Sequence, residues 1–332
     1  MVELPTPENL ERAAQIIRSG GLVAFPTETV YGLGANALNA MAAAKIFEAK
    51  RRPAFDPLIV HVADRGMLSR VVSEVPPVAE ALMERFWPGP LTLVLPKSAE
   101  VPGIVTSGLP TVAVRMPRHP VALELIRRAG VPLAAPSANP FGYLSPTRAE
   151  HVARMLGDTV DLILEGGATE FGVESTIVLL GEPPVLLRHG AIPPEALEVQ
   201  LGPLQRGVEE RQKPLVPGQL PQHYAPRTPI VLAYPQEVPP ERRKKAGFLA
   251  FKDVPKGFKV VKVLSPTGDL LEAAAHLFEA LHQLDRLGLE QIYAEPVPEE
   301  GLGWAIMDRL RRAAHPPGAA PPARGEPPGS QG

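Results

Sequence analysis

An α/β fold of two domains is what this sequence predicts, on three observations. Short runs such as LIVHV (58–62) and LTLVL (91–95) are apolar at all but one position instead of alternating, as strands covered on both faces are. Stretches with helical spacing recur between such runs, which implies helices on each side of a sheet. Residues 202–228 then interrupt the pattern with a polar, proline-rich stretch without periodicity. It is long for a simple connection and has the character of a linker or a functional loop.

The elements follow in order. Thr6 and Pro7 supply the cap and first turn of a helix. Its Leu10, Ala13, Ala14 and Ile17 fall at helical spacing, and Gly20-Gly21 ends it. Residues 22–25 read as a strand, and 40–50 (AMAAAKIFEAK) as a helix stopped by Pro53. Between them PTETVYGLGAN (26–36) reads as a loop at the strand's C-terminal end. Further strands are expected at 58–62, 91–95, 111–116, 131–135, 160–164, 176–180 and 185–188. Helices are expected at 77–86, 120–129, 147–156 and 193–200. A first domain over 1–201 and a linker over 202–228 result. Beyond them, strands at 230–233, 248–251, 259–264 and 291–295 alternate with helices at 269–286 and 302–314. These form a smaller α/β domain over 229–315, followed by a disordered, proline-rich tail over 316–332.

Composition bounds the function. At 332 residues two domains are expected, and 45% hydrophobic with 21% charged residues is ordinary for a globular chain. A formal charge of −2 excludes a basic field over the whole protein, so any nucleic-acid contact must be local. The chain has no cysteine, which excludes disulfides, thiolate zinc sites and a cysteine nucleophile. The N-terminus has no apolar signal segment and no run approaches a membrane span, so a cytoplasmic protein with no membrane partner is expected.

Several motifs carry chemistry. GLGANA (32–37) matches the dinucleotide turn G-x-G-x-x-G/A, but PTETVY separates it from the strand and no acidic residue follows about 20 residues later. The Walker A pattern is missing. Lys50-Arg51-Arg52 closes a helix, where cations suit the dipole. Pro53 extends the chain there, so Lys50 and Arg52 are expected to point the same way. Arg115, inside the apolar TVAVRMP, needs an anion beside it. A structural carboxylate would serve. A substrate carboxylate or phosphate is favoured because Arg115 ends its strand, where ligands collect in open α/β sheets. His61 ends its strand in the same way. In AAPSANPFGYLSPT (134–147), Ser137 and Asn139 stand i, i+2 among prolines that remove backbone donors. Ser145-Pro146-Thr147 is expected to open a helix, and helix N-termini favour phosphate. GVESTIV (172–178) adds Ser175, and Arg188 closes another strand. One sheet edge would thus gather hydroxyls, an amide, a histidine and four cations at Lys50, Arg51, Arg52 and Arg115. It shows no Ser-His-Asp order, metal-ligand cluster or paired carboxylates. Such a site binds a nucleoside triphosphate and a small acid, and acts by positioning and charge neutralisation.

In this order, PTETVYGLGANA, KRRP with PLIVH, FWPGPLTLVL, TVAVRMP, APSANPFG and GVESTIV closely resemble the Sua5/YrdC family of threonylcarbamoyl-AMP synthases. The resemblance is dense over residues 10–201. PGQLPQHYAP (217–226) and GLGWAIMDRLRRAA (301–314) resemble the linker and C-terminal domain of its longer, Sua5-type members. The resemblance implies a YrdC-like twisted, largely buried mixed sheet with helices on both faces, plus a Rossmann-like C-terminal domain. It also implies a reaction: L-threonine, bicarbonate and ATP, with Mg²⁺, give threonylcarbamoyl-adenylate and pyrophosphate. That product serves t6A formation at position 37 of tRNA, reached indirectly through a downstream threonylcarbamoyl-transferase complex. A carbamate on the threonine amine attacks the α-phosphate, so no catalytic side-chain nucleophile is needed. By the resemblance, Thr29, His61, Arg115, Ser175 and the Ala135 backbone would contact threonine, Arg115 taking the carboxylate. Lys50, Arg52, Ser137 and Asn139 would line the nucleotide side, with Thr111, Ser145 and Arg188 adding ATP contacts. Tyr224 would fold back over the nucleotide, making the linker a lid. Asp56 departs from the family's usual Asn, and a carboxylate there needs Mg²⁺ or an arginine to offset it. The resemblance names no metal ligand. Two other readings remain: a non-catalytic RNA-binding module, against which 5% aromatics and the net charge count, and a related carbamoyl-transfer enzyme, against which the absence of zinc-finger and acylphosphatase-like segments counts.

Overall fold

The computed structural model describes residues 1–206, 214–220 and 223–315. The expected tail at 316–332 lies outside them, as do parts of the expected linker.

The chain opens with strand β1 (Val2–Glu3) and helix α1 (Pro7–Arg18), whose Thr6 hydroxyl accepts the Asn9 N–H at 3.2 Å. Strand β2 (Val23–Phe25) then runs into β3 (Gly32–Asn36), which pairs antiparallel with it in the register Val23↔Gly34 and Phe25↔Gly32. The sequence reading placed a loop over all of 26–36. Only residues 26–31 turn; the glycine-rich half is a strand. Helix α2 (Ala40–Lys50) is capped by Asn39 and ends at Arg51 in the left-handed region, φ 52°. After β4 (Ile59–His61) comes α3 (Arg65–Val71), which the sequence reading missed. It is short and capped by Asp64. Next are α4 (Pro77–Phe86), β5 (Leu91–Pro96), β6 (Thr111–Arg115), α5 (Pro120–Ala129) and β7 (Leu133–Ala134). The first unit closes with α6 (Ala149–Leu156), β8 (Leu162–Leu164), β9 (Thr176–Leu179), β10 (Val185–Arg188), α7 (Pro194–Leu201) and β11 (Gln205–Arg206).

Among the described residues, eleven strands form one mixed sheet in the order β1-β8-β2-β3-β7-β4-β6-β5-β9-β10-β11. A second, four-stranded sheet is parallel throughout. It comprises β12 (Ile230–Leu232), β13 (Ala246–Ala250), β14 (Val260–Val263) and β15 (Gln291–Ala294), ordered β12-β15-β13-β14. Helices α8 (Pro240–Arg243), α9 (Leu270–Asp285) and α10 (Gly303–Ala313) accompany it. The fold class is therefore the one the sequence predicts, an α/β protein with a large mixed sheet and a smaller parallel one.

Two apolar assemblies matter for the site. The core of α9 and α10 continues into the first unit through Val30, Leu144 and Val173, and into the connecting segment through Tyr224, so the two units share a core. Burying side chains of this size contributes about 1.5–3 kcal/mol each. A smaller cluster holds Ile59, Val94, Ala113, Ile177 and Leu187, neighbours on one face of the large sheet, under Val216. No helical residue belongs to that cluster; the connecting segment covers the sheet there.

Candidate active site

Period-two alternation puts Ile59 and His61 of β4 on one face. Their register partners Ala113 and Arg115 of β6 share it. The apolar end of this face lies under Val216. At its polar end a cavity is lined by Thr27, Thr29, His61, Arg115, Ser175 and Arg188 on one side and Arg52, Ala135 and Ser137 on another. Pro217, Gly218, His223 and Tyr224 of the connecting segment roof it. The site therefore lies across a sheet face and not along one strand-end edge: β4 and β7 run antiparallel, and the lining takes the last residue of β4, His61, together with Ala135 just past the end of β7.

Arg115 is 3% exposed and its guanidinium is oriented by three acceptors. Nη2 pairs with Glu28 Oε1 at 2.6 Å, Nη1 donates to Thr29 Oγ1 at 2.9 Å, and Nε donates to Gly89 O at 3.2 Å. Burial alone would push the Glu28 carboxyl up, but the charge and hydrogen bond of Arg115 hold it below its ordinary value. Both expectations for this arginine thus meet at one residue: it has a structural carboxylate and it faces the cavity. Three of its five N–H groups are used, which leaves two on the terminal nitrogens. His61 is held neutral, its pKa lowered to about 3 by burial and then by Arg115. Its Nδ1 has no hydrogen-bond partner. Thr29 Oγ1 also meets Thr27 Oγ1 at 2.8 Å, and Ser175 Oγ meets Thr92 Oγ1 at 2.7 Å.

Arg188 ties the floor to the roof. Nε and Nη2 donate to Ser175 O and Oγ, each at 3.0 Å, and Nη1 donates to Pro217 O at 3.3 Å. Tyr224 is 1% exposed, adopts φ 60° and leaves its hydroxyl without a partner. Gly218, at φ +86°, makes room for it, since a Cβ there would stand 2.6 Å from that hydroxyl. Beneath this roof the cavity measures about 40 Å³. With the open mouth included, the hollow between atoms is about 510 Å³.

The basic cluster divides. Arg52 lines the cavity and is braced from its own turn, Nε donating to Asp56 O at 3.0 Å and Nη2 to Pro57 O at 2.8 Å. Asp56 Oδ2 lies 2.9 Å from Arg52 Nη2, so the carboxylate that replaces the family's Asn has its arginine. Neither of its oxygens accepts a well-directed hydrogen bond, and burial raises its pKa against the pull of Arg52, Lys50 and Arg188. Lys50 is buried and its ammonium bonds the Ser137 and Asn139 carbonyls, holding that loop instead of lining the cavity. Burial, then Arg52, drives its pKa well below the usual lysine value. Arg51 is exposed and faces away, because the left-handed cap reverses the chain. The expected fourfold cationic edge is therefore not formed by these residues.

Four further expectations are redirected. Asn139 does not line the cavity; its Nδ2 donates to Pro140 O and Tyr143 O, both at 2.9 Å. Thr111 opens β6, four residues before Arg115, and is absent from the lining. Ser145 caps no helix: α6 starts at Ala149, and the Ser145 hydroxyl goes to Glu174 Oε1. The glycines of GLGAN serve packing, since a Cβ on Gly34 would stand 2.7 Å from the Phe25 ring. That ring meets His61 edge-on at 6.2 Å behind the cavity. Glu28, Glu174, His223, Pro217 and Gly218 were given no role by the sequence reading. Their motifs PTET, GVES and PGQLPQHY were visible in it.

Comparison with known proteins identifies the family. A model of the Sua5–YciO–YrdC family, described as telomere recombination, matches residues 15–190. This chain belongs to the Sua5/YrdC family. A second family model, described as the C-terminal domain of threonylcarbamoyl-AMP synthase, matches residues 192–315. Threonylcarbamoyl-AMP synthase of Pyrococcus abyssi is 48% identical over 91% of this chain and 93% of its own. That of Bacillus subtilis is 44% identical over 94% and 95%. The crystal structure of P. abyssi Sua5 complexed with L-threonine superposes with a TM-score of 0.88 at 44% identity, covering 95% of this chain and 96% of that one. A histidine–carboxylate cluster close enough to hold a metal ion does occur in the chain. The one such group among the described residues, Glu150, His151 and Glu279, lies between α6 and α9 and not in the cavity. His151 Nδ1 accepts the Thr147 N–H at 3.2 Å, which leaves the proton on Nε2, 3.2 Å from Glu279, so that nitrogen donates and does not ligate.

Proposed function

We propose that this protein is a threonylcarbamoyl-AMP synthase, forming threonylcarbamoyl-adenylate and pyrophosphate from L-threonine, bicarbonate and ATP. The observation that carries the reading is the single hollow that Arg115, Thr29, Ser175 and Arg188 share with Arg52 and Ser137 under the Tyr224 roof, in a chain of this family. The two free N–H groups of Arg115 take the threonine carboxylate, and the Thr29 and Ser175 hydroxyls orient the amino acid. Neutral His61 adds no positive charge beside the reacting amine.

Bicarbonate and that amine lose water to give a carbamate, whose oxygen attacks the α-phosphate while pyrophosphate leaves. No side-chain nucleophile is required. The protein aligns the two reactants and places Arg52 and Arg188 where phosphate charge develops. The closed roof keeps water from the labile carbamate. Magnesium enters as the counterion of ATP. Glu174, the carboxylate in the described lining, is already committed to Arg309 and Ser145. The described lining offers no carboxylate left free for magnesium, so phosphate and water oxygens would supply its ligands. The product passes to a downstream transferase complex acting on tRNA, in the cytoplasm; no described helix is long and apolar enough to cross a membrane.

The test is pyrophosphate release from Mg-ATP. Release that requires both threonine and bicarbonate is expected. No release, or release indifferent to either one, removes the reading.

A further inference from the structure

The C-terminal unit sends one arginine into a site it does not itself build. Arg309 sits on α10 in the stripe of Leu302, Ala305, Ile306, Leu310 and Ala313, and is 1% exposed. Its guanidinium reaches out of its own unit. Nε donates to Glu174 Oε2 at 2.8 Å and Nη2 to His189 O at 2.9 Å, while Nη1 meets Asp308 Oδ2 at 2.5 Å. The Tyr224 ring lies on it, with its centroid 4.8 Å from the guanidinium carbon. Nearby, Arg312 Nη1 donates to Leu220 O at 2.6 Å, and the ring of Phe278 on α9 stands 5.7 Å from that of Tyr224.

Three of these partners adjoin the cavity. Glu174 lines it and precedes Ser175; His189 follows Arg188; Tyr224 is the roof. Tyr224 holds a left-handed φ of 60°, which a tyrosine keeps only where its surroundings over-determine it. A buried guanidinium is costly unless its donors are matched, and this one is matched only when both units and the connecting segment are assembled. A flat guanidinium against an aromatic face adds about 0.5–2 kcal/mol. A lysine can keep the charge for Glu174 but cannot also reproduce the fork or the stacking.

We infer that Arg309 is a positioning residue, and that the C-terminal unit is the latch of the lid. Arg309 seats Tyr224 over the nucleotide side and holds the turn after Arg188, so that ATP is retained under a closed roof. The inference rests on the synthase reading. It separates the two substrates, because Thr29, His61 and Arg115 come from the first unit and do not touch α10.

The test uses the full chain and Arg309→Lys, measuring KM for ATP, threonine affinity without nucleotide, and hydrogen exchange at two amides. Ala225 N–H, which bonds Gly142 O at 2.8 Å, reports the roof, and Leu277, in the core of α9, reports global stability. The expected result is an ATP KM raised about tenfold, threonine affinity within about twofold of wild type, and faster exchange at Ala225 but not at Leu277. An unchanged ATP KM, both ligands weakened alike, or exchange accelerated equally at both amides overturns the latch. Should Arg309→Lys not fold, Arg309→Met with Glu174→Gln removes both buried charges together, and the ATP KM and exchange are read in the same way. If wild type releases no pyrophosphate, the synthase reading fails, while the exchange data still decide the latch.

Discussion

Arg115 and Glu28 show how a buried charge is made usable. The carboxylate orients the guanidinium and offsets its burial, and the remaining N–H groups stay directed at the cavity. Arg115 was legible as an anomaly in an apolar strand, whereas its partner was only one of four polar residues in a presumed loop. Arg309 was legible in principle as well, since it falls on the apolar stripe of its helix, but one of three arginines in GLGWAIMDRLRRAA reads first as solvated surface. The buried histidines add a pH signature. His61 and His282 have pKa values lowered to about 3, both through burial first, and His223 is lowered well below the usual value for the same reason. Each is neutral when folded but takes a proton near pH 6.5 when unfolded, so the unfolded state binds more protons as pH falls and stability declines. At about 1.4 kcal/mol per pKa unit, His61 and His282 together remove about 3 kcal/mol between about pH 7.5 and about pH 5.5, and His223 acts in the same direction. Urea unfolding at those two pH values checks this; equal unfolding free energies would contradict it.

At the scale of elements, β3 carries the clearest lesson. Two glycines in five residues argue against a strand, because glycine loses entropy and packs nothing. Here they are what lets Phe25 of β2 lie flat across β3 behind His61. Gly34→Ala is therefore expected to destabilise the fold by about 1–3 kcal/mol through overpacking, and Gly34→Ala with Phe25→Leu to regain part of that loss. Denaturant midpoints measure both; a Gly34→Ala variant as stable as wild type would show that the ring does not press there. The long apolar strands and the helices over α2, α4 and α5 were legible because burial on both faces and helical spacing leave strong patterns. The path of the roof was not. Its contacts with Arg188, Arg309 and Phe278 join segments distant in the chain, and no local periodicity encodes them.

Taken whole, the molecule is a sheet face walled by one unit, roofed by the connecting segment and fastened by the other unit. Beneath the roof the enclosed space is about 40 Å³ within a hollow of about 510 Å³, so the two ligands of the proposed reaction would share one opening. On the proposed function threonine and ATP occupy adjoining parts of this hollow, and each should find the other's complex better formed than the free protein. The most direct measurement is a calorimetric titration of threonine into the full chain, alone and saturated with a non-hydrolysable ATP analogue. A shared enclosure predicts tighter threonine binding with the analogue by at least about fivefold, within the usual range of coupling between sites. Identical affinity in the two titrations would place the ligands in separate, independent sites and contradict it.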